Sequence, residues 1–133
     1  MKSGLWIKLL SVGTGGFLGS VLRYLISLWL NKRYPTSLIP YGTFAVNVTG
    51  SFFLGVIMQI AFYIPMNELV RLFFTTGIMG GLTTFSTLTY ETMALVYNGS
   101  YFAAALNILI NLSIGLLSAL GGKELVDIIY ARL

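Results

Sequence analysis

The fold class this sequence predicts is an all-α integral membrane protein with four transmembrane helices, the third of them broken. Three observations carry that reading. The chain has 133 residues, of which 56% are hydrophobic and only 9% charged, against about 25% charged in a soluble domain. Its apolar residues form four runs, each matching the roughly 20 helical residues that cross a bilayer core. The third run contains Gly77 to Glu91, "GIMGGLTTFSTLTYE", which puts glycines, hydroxyls and a carboxylate where Leu and Val would normally sit.

Taken in order, the first span is expected at about residues 5–30. It ends at Lys32-Arg33-Tyr34-Pro35 and Pro40, because two charges and two prolines belong in the headgroup zone. No small-residue cleavage site follows this run, which is expected to be mature structure and not a leader. The second span, residues 41–64, ends in the turn Pro65-Met66-Asn67-Glu68, with Glu68 expected to partner Arg71. The third, 69–97, closes at the turn signal Asn98-Gly99-Ser100, and the fourth covers 101–121. Residues 122–133 alternate Leu125, Ile128 and Ile129 with Glu124, Asp127 and Arg132, which predicts a short amphipathic helix on the membrane surface. The whole chain, 1–133, reads as a single membrane domain.

Charge and composition narrow the function. Lys2, Lys8, Arg71, Lys123 and Arg132 fall on one side and Lys32 and Arg33 on the other. The positive-inside rule favours a cytoplasmic N-terminus, but the bias is modest enough for insertion both ways. The chain lacks Cys and His, so thiolate chemistry and the commonest ligands for zinc, iron or copper are excluded. The eight basic residues, net charge +4, are scattered, which argues against nucleic acid as a partner.

Polar residues inside the spans point to a hydrated track. In the first span Gly15-Gly16-Phe17-Leu18-Gly19 is a close-packing motif. Arg23 follows it, where an intramembrane Arg costs about 2.5–3.5 kcal/mol on insertion scales. Arg23 is read either as snorkelling to the interface or as the cation of an anion-attracting vestibule. In the second span Thr43, Asn47, Gly50, Ser51 and Gly55 share a helix face. In the fourth, Asn107, Asn111, Gly115, Ser118 and Gly122 do the same. An Asn amide offers N–H donors that suit an anion. In the third span Gly77, Gly80 and Gly81 lower helix propensity by about 1 kcal/mol each, and Thr83-Thr84 compete for backbone hydrogen bonds. A break there is tolerated only in protein or at a cavity. It would free carbonyls for a hard cation and start a half-helix whose N-terminus favours anions. Phe85, with its electropositive ring edge, follows directly.

These residues resemble the Fluc (CrcB) fluoride channels over essentially the whole chain. The motifs are Gly16-x-x-Gly19-x-x-x-Arg23-Tyr24, Gly42-Thr43-x-x-x-Asn47-x-x-Gly50, and Gly80-Gly81-Leu82-Thr83-Thr84-Phe85-Ser86-Thr87 followed by Glu91. The resemblance implies an antiparallel, dual-topology homodimer in the inner (plasma) membrane, in contact with lipid, with two fluoride pathways along the subunit interface. It also implies a structural Na⁺ held by the Gly80 and Thr83 carbonyls of both chains. Asn47 would be the fluoride-contacting amide, Phe85 the first ring along the pore, and Arg23 the vestibule cation. Thr43, Thr87, Leu88, Glu91, Asn107 and Asn111 complete the expected pathway. Glu91 falls on the carboxylate of the family motif. Two positions depart from it: Leu88 stands where the second ring belongs, and Asn107-x-x-x-Asn111 replaces Tyr-x-x-x-Ser.

The implied mechanism is passive export of fluoride that enters the cell as neutral hydrogen fluoride and dissociates there. No residue suggests energy coupling. A small dual-topology drug/proton antiporter is the alternative, but it resembles a family that needs a carboxylate in the first helix, where this chain has Arg23. A purely structural membrane subunit would not account for Asn47, Asn107 and Asn111. An enzyme is the weakest option, given the absence of His, Cys and an intramembrane acid pair.

Overall fold

The computed structural model describes residues 2–132, with side chains from Gly4 onward. Leu133, the last residue of the expected tail, and the Lys2 side chain counted in the charge comparison lie outside the described residues. Helix α1 runs Lys2–Arg33, α2 Tyr41–Tyr63, α3 Glu68–Leu72, α4 Gly80–Leu82, α5 Phe85–Tyr97 and α6 Tyr101–Tyr130; a π-helical stretch, Phe73–Met79, joins α3 to α4. Among the described residues every regular element is a helix. Three of them, α1, α2 and α6, are long and apolar enough to cross a membrane. The chain is a helical membrane protein.

Local chemistry sets the ends. Lys32 and Arg33 close α1, where positive charge complements the helix dipole. The Asn31 side chain then accepts the Gly42 N–H at 3.1 Å, tying the start of α2 back to α1. Asn67 caps α3 by accepting the Leu69 N–H at 2.8 Å. Gly99 takes φ +74° in the turn into α6, a conformation glycine adopts without penalty. Glu68 pairs with Lys8 Nζ at 2.7 Å, not with Arg71 as the local spacing suggested, so the contact joins α1 to α3.

The register between helices defines the passage count. Asn47 meets Asn111 and Gln59 meets Asp127, so α2 and α6 run parallel. The chain must therefore cross the bundle once between them, and the pieces from α3 to α5 make that return. Helix α1 lies along the first half of it. The Gly15 and Gly77 backbones approach so closely that a Cβ on Gly77 would sit 2.8 Å from the Gly15 Cα, and a Cβ on Gly19 would strike the Ile78 carbonyl. Gly122 and Gly55 allow the same approach between α6 and α2. Lipid supplies no hydrophobic drive between helices, so this packing holds the bundle. Bulky apolar side chains such as Trp6, Phe17, Trp29, Phe62 and Tyr97 face outward.

Two boundaries differ from the sequence reading. The fourth helix does not stop at Gly121: α6 continues unbroken to Tyr130, so residues 122–130 extend it and do not form a separate surface helix. Gly122 packs on α2, and further along Asp127 accepts hydrogen bonds from Gln59, Tyr63 and Lys123 at 2.6–2.7 Å. Tyr130 stacks on Tyr63 with ring centroids 4.4 Å apart. In the third passage the glycines are not the break. Gly77 and Gly81 pack on α1, the helix carries on through Leu82, and only Thr83 (φ −77°, ψ 155°) and Thr84 (φ −151°, ψ 122°) are extended.

Candidate functional site: a sewn helix break beside a polar chain

The extended pair Thr83-Thr84 exposes backbone groups that α4 and α5 do not use. Asn47, on the facing turn of α2, takes them. Its Oδ1 accepts the Thr84 N–H at 2.8 Å, and its Nδ2 donates to the Thr84 carbonyl at 3.1 Å. The second Nδ2 hydrogen goes to Asn111 Oδ1 on α6 at 3.0 Å. Asn111 Nδ2 in turn donates to the Asn107 carbonyl at 2.9 Å and to Asn107 Oδ1 at 3.2 Å. Asn107 Nδ2 reaches Thr92 Oγ1 on α5 at 3.0 Å. Asn107 is fully buried and Asn111 nearly so. Five residues from three helices thus form one continuous hydrogen-bonded chain.

The Thr84 hydroxyl caps α5 by accepting the Thr87 N–H at 3.2 Å, and Thr87 Oγ1 accepts from it at 3.0 Å. Because Thr84 gives its N–H to Asn47, the Gly80 carbonyl four residues back lacks the donor that a continuing helix would bring. Gly80 lies on the exposed side of the passage. Thr83 gives both its N–H and its hydroxyl to the Met79 carbonyl, at 3.0 and 2.9 Å, and its ψ of 155° turns its own carbonyl out of the helical ladder.

A cavity of about 410 Å³ opens beside the break, with Asn47, Thr83, Thr84, Phe85, Leu88 and Asn111 in its wall. Phe85 stands at its mouth with 75% of its surface exposed, whereas Leu88 is 4% exposed and forms an apolar side of the wall. The structure therefore gathers Asn47, Thr83, Phe85, Leu88 and Asn111 around one space. It sets Asn107 and Thr87 one contact behind. Thr43 and Glu91 form a separate pair, Oγ1 donating to Oε1 at 2.8 Å; Thr43 is buried, and the second Glu91 oxygen is buried without a partner. Arg23 is half-buried and is not part of the cavity wall.

Thr92 is a participant that sequence reasoning did not single out, and Thr84 was read there only as part of the helix break. Thr92 had a signal: it lies four residues after Leu88, on the same face of α5 as that buried side chain. For Thr84 the residue type marked the break, but not that Asn47 would hold its backbone N–H and carbonyl. No cluster of three or more His, Cys, Asp or Glu side chains that could hold a metal ion occurs among the described residues.

Comparison with known proteins places this architecture. The family model of CrcB-like protein, Camphor Resistance (CrcB), matches residues 10–123. A fluoride-specific ion channel FluC of Clostridium perfringens is 43% identical over 122 residues, 91% of this chain and 94% of the relative. The protein of that name from Campylobacter fetus is 42% identical over 120 residues, 90% and 94% of the two chains. The one from Methanocaldococcus jannaschii is 47% identical over 104 residues, 78% and 82%. With the match spanning nearly all of the helical bundle, the chain belongs to the CrcB family.

Proposed function

We infer that this protein is a fluoride-selective passive channel, and accordingly not an enzyme, which lets fluoride leave the cell across the inner (plasma) membrane. The observation that carries the reading is the break at Thr83-Thr84, held open by Asn47 beside a cavity with an exposed Phe85 ring at its mouth. The relatives that match the whole bundle carry the name of a fluoride channel, which supports the same ion.

Fluoride is small and strongly hydrated, so its route must replace water with hydrogen-bond donors. Asn47 supplies amide N–H, and Phe85 offers a ring edge carrying partial positive charge; the Thr83 and Thr84 hydroxyls line the space with their protons already given to the Met79 carbonyl and Thr87 Oγ1. Leu88, buried in the wall, excludes water without offering a competing acceptor. A proton-coupled antiporter would need a titratable acid on α1, and α1 carries none.

The cavity is open on one side of the single subunit, and the exposed Gly80 lies near it in sequence and structure. A second copy inserted in the opposite orientation would close that side and bring two breaks together, which is the dual-topology homodimer of this reading. The Gly80 and Thr83 carbonyls suit Na⁺, because both are freed from helical bonding and oxygen is the ligand of hard cations. When bound, the ion would supply charge that offsets carbonyl dipoles facing one another across the dimer axis. The side chains then need only shape the pathway.

Purified protein in liposomes is expected to release fluoride far faster than chloride, without any proton gradient. Exchange of sodium for a large organic cation during prolonged dialysis is expected to abolish that release. Equal fluoride and chloride rates, or release that requires a proton gradient, would sink the channel reading. Full flux after sodium removal would sink the structural ion alone.

A further inference from the structure

The amide chain has a direction that backbone atoms fix at both ends. Thr84 N–H can only donate, so the Asn47 atom facing it at 2.8 Å is Oδ1. Nδ2 therefore points at the Thr84 carbonyl and at Asn111. The Asn107 carbonyl can only accept, so the Asn111 atom facing it at 2.9 Å is Nδ2. Oδ1 of Asn111 is then the atom 3.0 Å from the Asn47 amide. Both hydrogens of Asn47 Nδ2 are taken, one by Thr84 and one by Asn111, so none is free for an anion.

One of those bonds must open if Asn47 is to bind fluoride. The bond to Thr84 belongs to the pair that sews the helix break and is reinforced by the reciprocal bond from Thr84 N–H. The bond to Asn111 has no such reciprocal partner, and Asn111 lines the cavity where the ion would stand. We propose that the Asn111 side-chain oxygen is the acceptor that a passing fluoride displaces from the Asn47 amide, so that Asn111 sets how tightly the pathway holds its anion. This rests on the fluoride-channel reading above.

The arrangement serves conduction in two ways. With no ion present, the oxygen satisfies a part-buried N–H that would otherwise be left unpaired. With an ion present, it competes, which keeps binding weak enough for the ion to leave. Asn107 is the anchor: its carbonyl and Oδ1 both hold Asn111 Nδ2, so the competing oxygen stays aimed at Asn47. The Asn107-x-x-x-Asn111 spacing, which departs from the Tyr-x-x-x-Ser of the resembled family, thereby acquires a role of its own.

Two substitutions separate this from a packing role. Asn111→Leu keeps comparable bulk and removes the acceptor; it is expected to lower the half-saturating fluoride concentration for liposome flux about three- to tenfold, the scale of one net hydrogen bond. Asn111→Asp offers a charged acceptor, whose bond to an N–H is about twice as strong, and is expected to raise that concentration by at least as much. If both variants shift it in the same direction, or neither does while the unsubstituted protein conducts, the inference is overturned and the channel reading stands. If the unsubstituted protein passes no fluoride, both fall. Should either variant not fold, the unsubstituted protein labelled with ¹³C at its Asn side-chain carbonyls decides. Sodium fluoride, and not sodium chloride, is expected to move one carbonyl band to higher frequency. A spectrum that fluoride leaves unchanged overturns the inference.

Discussion

Asn47 does two jobs whose demands differ. As the latch of the helix break it needs one acceptor and one donor facing Thr84, and only an amide supplies both from a single side chain. As the proposed contact for fluoride it needs a further donor, and the same Nδ2 carries it. Asn47→Asp removes both donors and sets a carboxylate against the Thr84 carbonyl and the path of an anion. Two unit charges about 4 Å apart repel by about 4 kcal/mol at an effective dielectric of 20. Fluoride flux in this variant is expected to fall more than about a hundredfold in a liposome efflux assay. Phe85→Ile should also lose flux, yet keep the thermal stability of the parent, since the ring is mostly exposed and supports little of the subunit's own packing. Near-normal flux in both would place the pathway elsewhere. Both positions stood out in the sequence, Asn47 as an amide in an apolar span and Phe85 as a ring beside a run of Thr and Gly, but the structural task of Asn47 in holding the break was not legible there. For Thr84 the sequence showed only the helix break, since the bonds of its backbone N–H and carbonyl to Asn47 leave no mark in the residue pattern.

At the scale of elements, glycine and threonine divide the labour in a way that composition alone did not separate. Low helix propensity marked Gly77, Gly80 and Gly81 along with Thr83-Thr84 as the break, but at the glycines propensity is outweighed where a missing side chain lets helices touch. Gly77 and Gly81 lie against Gly15 and Gly16 of α1, and the backbone stays helical there. Thr83 and Thr84 break it because Asn47 offers Thr84 better partners than the helix does. The same logic explains the tail. The fourth span was expected to end at residue 121, yet Gly122 packs α6 onto α2 and the helix continues to the Asp127 cluster. The four long apolar runs, the turns at Pro65 and Gly99, and the small-residue faces of α2 and α6 were all legible, since each follows from periodicity or a breaker residue. Contacts between distant segments, such as Lys8 with Glu68, were not. A stability test follows from the packing. Gly15→Ala, where a Cβ meets the Phe73 carbonyl, is expected to cost about 1–3 kcal/mol as overpacking does. Gly13→Ala, whose Cβ meets nothing within 4 Å, is expected to be neutral or slightly stabilising through helix propensity. Melting in detergent would compare them, and equal midpoints would contradict the α1 packing described here.

For the whole molecule, the balance of charge and the open cavity bear on the same question. Lys8, Arg71, Lys123 and Arg132 stand at one end of the bundle and Lys32 and Arg33 at the other, a modest bias under the positive-inside rule. The proposed dimer uses that ambivalence, since each subunit would close the other's open side. Extra Lys residues that force one orientation are expected to abolish fluoride export, and co-expression of the oppositely biased chain to restore it. Export by a single-orientation population would contradict the antiparallel pair while leaving the fold untouched. Selectivity and passivity are the central claims about the molecule, and they make a common electrical prediction. A channel that passes only fluoride holds a planar bilayer at the fluoride equilibrium potential, about 59 mV for each tenfold gradient of a singly charged ion.

The reversal potential of purified protein in a planar bilayer, under a tenfold fluoride gradient with chloride and pH varied independently, is the most direct test. A fluoride-selective passive channel gives a value that follows fluoride alone and ignores both chloride and pH. A potential that moves with the chloride gradient, or with the pH difference across the bilayer, would contradict it.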